Sequence, residues 1–222
     1  MSETLKKTTG AIQRKVGVGD DGLWGPNTAN AVAKALGVAA FGDSPPVVFE
    51  DVKPLDGGSP TPPNASQKND YYGRPSSNYP HLITIELPYE LRLSWEKQTV
   101  IKKMSCHKKV AAQFRNMFEG WLKHFGEDGV VYYGLDLYGG CYNHRSIRGG
   151  SSWSDHAYGI AVDIDPDRNG LKTPSAQSFM PVDAIRIAEK FGIHNIGSSM
   201  DRDLMHFAAV NYGTFNGTTK NP

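Results

Sequence analysis

The fold of the C-terminal half of this chain is decided by the stretch Ser154-Asp155-His156-Ala157-Tyr158-Gly159-Ile160-Ala161-Val162-Asp163. His156 and Asp163 are seven positions apart, which on a single helix would separate them by about 10 Å. A shared zinc ion requires ligand atoms at about 2.0–2.2 Å, so the chain must turn between the two residues. Gly159 permits that turn. Apolar alternation then predicts a strand over residues 160–165, on which Asp163 and the small Ala161 point to the same side.

A second stretch, Asp203-Leu204-Met205-His206-Phe207, supplies the complementary residues. His206 lies between two apolar residues, as a buried ligand in a strand does. Two histidines and one carboxylate with an open fourth position form a known ligand set of hydrolytic zinc. The sequence therefore predicts His156, Asp163 and His206 as metal ligands. Asp203, three residues before His206, is the predicted base, with Asp201 as its competitor.

The burial of Asp163 is a second indication of a bound cation. This carboxylate lies among apolar strand residues, where a charge is costly unless a cation or hydrogen-bond donors meet it. That partner could be a metal ion or an arginine, and a lone buried histidine is more often a hydrogen-bonded core residue than a ligand. The combination of both stretches favours the metal.

The two stretches together resemble a known family. Ser-x-His-x-x-Gly-x-Ala-x-Asp, followed some forty residues later by acidic-x-x-His, is similar to the pattern of the zinc D-Ala-D-Ala carboxypeptidases and L-Ala-D-Glu endopeptidases of peptidoglycan. These enzymes share a fold with the signalling domain of hedgehog proteins. Residues 142–149 also resemble the family's Tyr-Asn-x-Arg-x-Ile-Arg-Gly stretch, and the resemblance covers about residues 80–213. The matching positions are Ser154, His156, Gly159, Ala161, Asp163, Asp203 and His206.

The resemblance implies one zinc ion per catalytic domain and roles for further residues. Asp203 would act as general base and then as general acid. Arg145, or alternatively Arg148, would hold a substrate carboxylate or the oxyanion, unless it pairs with a carboxylate of the protein. Ser154 is expected to support the site through a hydrogen bond, and Tyr158 is expected to contact substrate.

The chain departs from the family pattern at two places near the last histidine. Relatives tend to have a Trp-Gly-Gly-rich segment where this chain has residues 193–199, and they often have an acidic or polar residue where Ala208 stands. Both changes concern the choice of substrate. We expect an L-Ala-D-Glu endopeptidase, with a D-Ala-D-Ala carboxypeptidase as the alternative. A zinc-containing wall-binding protein without activity is the alternative from another class.

The N-terminal 40 residues predict a small helical module. Gly22-Leu23-Trp24-Gly25-Pro26-Asn27-Thr28, followed by Ala31-Val32, resembles the signature of three-helix peptidoglycan-binding modules. A first helix is expected around Ile12 and Val16, and a second from Pro26 to a stop at Gly37. Trp24 is expected to plug the core of this module, whose binding competence stays open because its first helix looks short.

Proline and glycine separate this module from the rest of the chain. Residues 41–78 are rich in both and predict a linker, although Tyr71 and Tyr72 are large for a free one. Residues 79–222 predict an α+β catalytic domain: a small antiparallel sheet with flanking helices. Three strands are expected in this domain: one that starts near Ile83 and ends at Pro88, one over residues 130–133 and one over residues 204–210. Two helices are expected, over residues 110–125 and 181–191.

Composition excludes several classes of protein. The chain has 24 Lys and Arg against 23 Asp and Glu, which argues against nucleic acid as a partner. No apolar run approaches the roughly 18 residues of a membrane span, and no secretory signal is visible near the N-terminus. Cys106 and Cys141 are expected to be reduced and buried. The two resemblances to wall-directed modules, together with the missing secretory signal, imply a phage endolysin, or else a bacterial autolysin. We expect a monomer that is made in the host cytoplasm and acts on peptidoglycan after release.

Overall fold

A computed structural model describes residues 3–19, 26–36 and 61–220. The chain divides into two compact units, residues 1–50 and 51–222. In the N-terminal unit, α1 (Glu3–Val16) packs against α2 (Pro26–Leu36). Between them, buried Gln13 Nε2 donates a hydrogen bond to Thr28 Oγ1 at 2.9 Å. Trp24, the stop at Gly37 and the third helix expected of this module lie outside the described residues.

The C-terminal unit is built on one six-stranded sheet in the order β2-β1-β3-β4-β6-β5. Strands β1 and β3 are parallel, and the other neighbours are antiparallel. The α+β class is as predicted, but the sheet is mixed, not antiparallel. The strands are β1 (Leu82–Leu93), β2 (Glu96–His107), β3 (Leu137–Gly140), β4 (Ala161–Ile164), β5 (His194–Asn195) and β6 (His206–Ala208).

Strand β1 does not end at Pro88, as the sequence predicted, but continues to Leu93. The pairing of β1 with β2 shifts register between Glu86 and Leu91. A proline has no N–H for a regular ladder, and an irregular stretch of this kind is where a strand tolerates one. The proline therefore marks a distortion inside a long hairpin.

Helix α4 (Ala111–Tyr133) covers one face of the sheet. The sequence predicted a helix over residues 110–125, and the backbone is indeed not helical at Gly126, with φ of 67°, but the helix resumes there and continues to Tyr133. Residues 130–133 were predicted as a strand, and this is wrong. Val130 and Tyr133 are buried while Val131 is exposed, a helical spacing that packs this last turn onto the unit.

The apolar stripe of α4 forms the centre of the core. Its fully buried members are Phe114, Met117, Phe118 and Trp121. The Trp121 indole N–H donates to Ala184 O at 2.9 Å, and its ring lies edge-on to Phe207 at 5.3 Å. Through these contacts α4 joins the sheet to α6 (Val182–Lys190), the helix predicted over residues 181–191.

Short helices complete the C-terminal unit. They are α3 (Lys68–Tyr72), α5 (Pro166–Asn169) and α7 (Gly197–Met200), with 3-10 turns at Ala65–Gln67, Lys108–Val110, Asp155–Tyr158 and Ser175–Gln177. Residues 61–78, expected to be linker, belong to this unit, and Tyr72 is buried with its hydroxyl donating to Ala209 O at 2.7 Å. Cys106 and Cys141 are buried and free. Among the described helices, none combines the length and apolar character that crossing a membrane requires.

Candidate metal centre

The register of two adjacent strands brings Asp163 and His206 together. In the antiparallel pair β4–β6, Asp163 is directly opposite His206, and Val162 is opposite Phe207. Residues directly opposite each other point to the same face, with Cβ atoms about 4.5–5.5 Å apart. His206 Nδ1 accordingly lies 3.0 Å from Asp163 Oδ1. The pairing of β4 with β6 thus places two predicted ligands that are far apart in sequence next to each other.

The third predicted ligand, His156, lies in the 3-10 turn Asp155–Tyr158. Gly159 ends this turn in the left-handed region, with φ of 66°, and the chain then enters β4, as the sequence predicted. His156 Nδ1 donates to the carbonyl of Cys141 at 2.7 Å. That bond fixes the tautomer and leaves Nε2, which lies 3.3 Å from Asp163 Oδ2, free to bind a metal.

These three side chains fit one tetrahedral cation. Their ligand atoms all lie within 4.8 Å of one another. Tetrahedral ligands at zinc distances are roughly 3.4 Å apart, close to the separations of His156 and His206 from Asp163. Both histidines are buried. The donor set of two imidazoles and a carboxylate is the one that hydrolytic zinc sites use.

The electrostatics of the centre also favour a cation. Burial lowers the pKa of the His206 imidazole, but hydrogen bonds and charges from Asp155 and Asp163 outweigh it and raise the pKa to about 10. Burial raises the pKa of Asp163, yet its hydrogen bonds to His156 and His206 hold the net pKa below its ordinary value. The two carboxylates therefore stabilise a positive charge at the position of His206.

Asp203 provides a carboxylate without a partner beside this cluster. It is 6% exposed, and its Oδ1 is buried with no hydrogen-bond partner among the described residues. Burial raises its pKa to about 6, against the opposing charge of His206. Its φ of 65° is unusual for an aspartate and costs of order 1 kcal/mol. The competing Asp201 is exposed at the end of α7, whereas Asp203 is buried.

The two arginines lie on the loop that leads into the turn. The backbone carbonyl of Arg145 accepts from Ser154 N at 3.2 Å, and its Nη1 donates to Ser146 O at 3.3 Å. Arg145 is half-buried and Arg148 is exposed. In the described parts of the chain, neither guanidinium pairs with a carboxylate. The alternative that one of them serves an internal ion pair is therefore not supported.

Ser154, expected to support the site through a hydrogen bond, and Tyr158, expected to contact substrate, are both buried. Ser154 starts the 3-10 turn, and its carbonyl accepts from Ala157 N at 2.9 Å. Tyr158 is 2% exposed, and its hydroxyl donates to Asn69 Oδ1 at 2.8 Å. Tyr158 thus packs against α3. Its ring is buried, although the residue lies within the sequence motif.

Sequence reasoning missed Asp155, which contacts His206, and two residues that hold Asp155 in place. Asp155 Oδ2 lies 3.4 Å from His206 Nε2. Lys68 Nζ lies 2.5 Å from Asp155 Oδ1, and the Tyr212 hydroxyl donates to Asp155 Oδ2. Asp155 adjoins a ligand and could have been suspected. No pattern in the sequence indicates Lys68 or Tyr212, because their proximity arises only from the tertiary fold.

The other histidines lie away from the cluster. His107 Nε2 donates to Tyr72 O at 3.0 Å, His144 stacks on Trp153 with ring centres 4.7 Å apart, and His194 Nδ1 donates to Gly213 O at 2.8 Å. Among the described residues, the group that could hold a metal ion is His156, Asp163 and His206.

Comparison with known proteins agrees with this geometry. A family model described as D-alanyl-D-alanine carboxypeptidase matches residues 148–209. The matched segment contains all three ligands and Asp203, and it supports a peptidoglycan-related peptidase. Arg145 and the N-terminal module lie outside it. No curated protein and no solved structure is significantly similar to the chain.

Proposed function

We propose that this chain is a zinc-dependent peptidoglycan peptidase that hydrolyses an amide bond of the stem peptide. The observation that carries the proposal is the pairing of a complete ligand set, within 4.8 Å, with the buried and unpartnered carboxylate of Asp203. A purely structural metal site has no use for such a group. The family match over residues 148–209 supports the same chemistry.

His156, Asp163 and His206 would hold the zinc ion. Zinc in such a site supplies Lewis-acid chemistry, in which it polarises a carbonyl and makes water more acidic. Asp203 takes the proton from the attacking water at Oδ1 and later donates it to the departing amine. The raised pKa of Asp203, about 6, suits a group that must both accept and release a proton near neutral pH.

Arg145 is proposed to bind a carboxylate of the stem peptide or the developing oxyanion. Its backbone is tied to the turn that carries His156, through the hydrogen bond from Ser154 N to Arg145 O at 3.2 Å. Its guanidinium is half-buried and forms no ion pair with a described carboxylate. A planar guanidinium can bind a carboxylate with two parallel hydrogen bonds, which would orient the peptide. Arg148 is the alternative for this role.

Within this class we favour an L-Ala-D-Glu endopeptidase, because cutting inside the stem opens the wall mesh. The second candidate is a D-Ala-D-Ala carboxypeptidase, and the description of the matching family model favours it. The two activities differ in their products: the first separates the stem from the glycan-linked alanine, whereas the second releases only a terminal D-alanine.

Mass spectrometry of the fragments released from purified peptidoglycan distinguishes these candidates. The endopeptidase predicts a glycan bearing L-Ala and a free peptide that begins with D-Glu. Loss of a single alanine from intact stems would identify the carboxypeptidase instead. A protein that binds walls and zinc but releases neither product would be a binding protein without activity, and the enzyme proposal would fall.

We further propose that the chain acts as an endolysin. The N-terminal signature around Trp24 would bind the wall, and the catalytic unit would cut it after release from the cell that makes it. Peptidoglycan is then the partner of both units, and a monomer suffices because one chain supplies every residue of the site. Bacterial wall remodelling is the alternative role.

A further inference from the structure

Asp155 stands behind His206, on the side away from the other ligands. His206 Nδ1 faces Asp163 Oδ1 at 3.0 Å, whereas its Nε2 faces Asp155 Oδ2 at 3.4 Å. The Asp155 side chain is 10% exposed. Each ring nitrogen of His206 therefore faces a carboxylate. Only one of these two carboxylates, that of Asp163, belongs to the predicted ligand set.

Two donors hold Asp155 in that position. Lys68 Nζ lies 2.5 Å from its Oδ1 and also reaches Trp153 O at 3.4 Å. The Tyr212 hydroxyl donates to the same Oδ2 that faces His206. The Lys68 side chain is 15% exposed, so this ion pair is largely screened from water. Buried, charge-assisted hydrogen bonds of this kind fix the orientation of a carboxylate.

Lys68 comes from α3, which precedes the sheet and lies outside the segment matched by the family model. The helix is anchored at several points. Asn69 accepts from the Tyr158 hydroxyl at 2.8 Å, and the Tyr72 hydroxyl donates to Ala209 O at 2.7 Å. The Tyr72 carbonyl in turn lies 3.0 Å from His107 Nε2. Lys68 therefore projects from a firmly docked helix toward the back of the metal centre.

We infer that Asp155 and Lys68 are positioning residues of the metal centre. Asp155 accepts the Nε2–H of His206, which fixes the tautomer whose Nδ1 lone pair faces the metal, and Lys68 with Tyr212 fixes Asp155. The inference rests on the proposed function, because it takes His206 as a zinc ligand. Outer partners of this kind typically contribute 10- to 100-fold in metal affinity. The proline-rich segment before the sheet thereby takes part in metal binding.

The test is the zinc affinity of the full-length protein, measured by competition with a chromophoric chelator after metal removal. Asp155→Asn is expected to weaken zinc binding about 10- to 100-fold. Lys68→Met should weaken it less, and Lys68→Arg should restore most of that loss.

Lys97→Met is the matched control, because Lys97 pairs with Asp167 at 3.4 Å on the exposed surface of the same unit. It should bind zinc as the wild type does. If Asp155→Asn fails to fold, the Lys68 pair of variants decides alone. Zinc affinities of Asp155→Asn and Lys68→Met within twofold of wild type would overturn the inference and leave the proposed function standing. A wild type that binds no zinc would overturn both.

Discussion

Three aspartates around the centre have different surroundings and therefore different roles. Asp163 faces both ligand histidines, Asp155 faces only His206 from behind, and Asp203 has a buried oxygen without a partner. Charge and hydrogen bonds lower the pKa values of the first two, while burial raises that of Asp203 to about 6. When neighbouring carboxyl groups differ in pKa, the group with the low pKa stays charged and can hold a cation, whereas the group with the raised pKa can accept and release a proton.

Replacing Asp203 should stop hydrolysis without removing the metal. Asp203→Asn keeps the shape of the side chain but cannot take a proton, so the rate of stem-peptide hydrolysis should fall about 10²- to 10⁴-fold. Zinc stoichiometry, measured on the same sample, should stay at one. Asp201→Asn is the control and should hydrolyse normally. Normal hydrolysis by Asp203→Asn would remove it as the base.

His107 should make stability depend on pH. Its Nδ1 accepts from Lys109 N at 3.0 Å and its Nε2 lies 3.0 Å from Tyr72 O, an arrangement that needs the neutral ring. Burial lowers its folded-state pKa from 6.5 to about 4. The resulting stability is complete above pH 6.5 and is lost as the pH falls toward 4, because the unfolded chain binds the proton first. The loss amounts to about 3 kcal/mol.

Urea unfolding of the metal-free protein between pH 7 and 4 measures this effect. His107→Gln keeps one donor and one acceptor but cannot titrate, so the free energy of unfolding should decline less steeply with acid than in wild type. Equal pH dependence in the two proteins would contradict the role given to His107.

At this scale, the structure brings together the three residues that the sequence predicted as ligands, whereas little in the sequence indicated the residues that support them. His156, Asp163, Asp203 and His206 belong to two short patterns whose spacing carries the chemistry. Lys68 and Tyr212 carry no such pattern, because what matters is how α3 and the C-terminal segment pack. Tyr158 shows the reverse: it lies within the pattern, yet its ring serves packing.

Among the elements, strands β3 and β4 approach each other closely at Asp163, one of the predicted ligands. A Cβ on Gly139 would lie 2.9 Å from the Cβ of Asp163 and 3.1 Å from its carbonyl oxygen. Neither atom can move without shifting the strand that carries the ligand. Gly139, which lies at the register shift between β3 and β4, is therefore required because the backbone and Cβ of Asp163 approach it closely.

Gly139→Ala should damage both stability and metal binding. Forcing a methyl group into this contact should lower the free energy of unfolding by about 1–3 kcal/mol. It should also weaken zinc binding, since Asp163 must shift. Gly19→Ala is the control, because a Cβ there meets no atom within 4 Å. A Gly139→Ala protein with wild-type unfolding and zinc affinity would refute this account of the sheet.

Element prediction succeeded where one periodicity was clear and failed where tertiary context overrode it. The helix at residues 181–191 and the strand after Gly159 follow from regular apolar spacing. Pro88 was expected to end a strand, but the hairpin absorbs it by a register shift. Residues 130–133 are β-branched and aromatic, yet their burial follows the helical turn that packs them.

On the scale of the whole molecule, the chain consists of two compact units with separate expected tasks. The C-terminal unit includes residues 61–78, which pack onto its sheet and contribute Lys68. A high content of proline and glycine indicates an irregular backbone, but it does not indicate whether large side chains such as Tyr72 are buried. Wall binding by the N-terminal module stays a prediction from its sequence signature.

Loss of the N-terminal module should reduce binding to walls but not the chemistry. Trp24→Ala removes the expected core plug of that module. Co-sedimentation of the protein with insoluble peptidoglycan should therefore fall, while hydrolysis of soluble stem-peptide fragments should match wild type. Undiminished co-sedimentation would contradict a wall-binding role for this unit.

The central claim is that His156, Asp163 and His206 hold a zinc ion on which peptide hydrolysis depends. Its most direct test is mass spectrometry of purified peptidoglycan treated with wild-type protein, with chelated protein, and with chelated protein given one equivalent of zinc. We expect stem-peptide cleavage in the first sample, none in the second, and recovery in the third. Cleavage that persists at the wild-type rate after complete metal removal would contradict the claim.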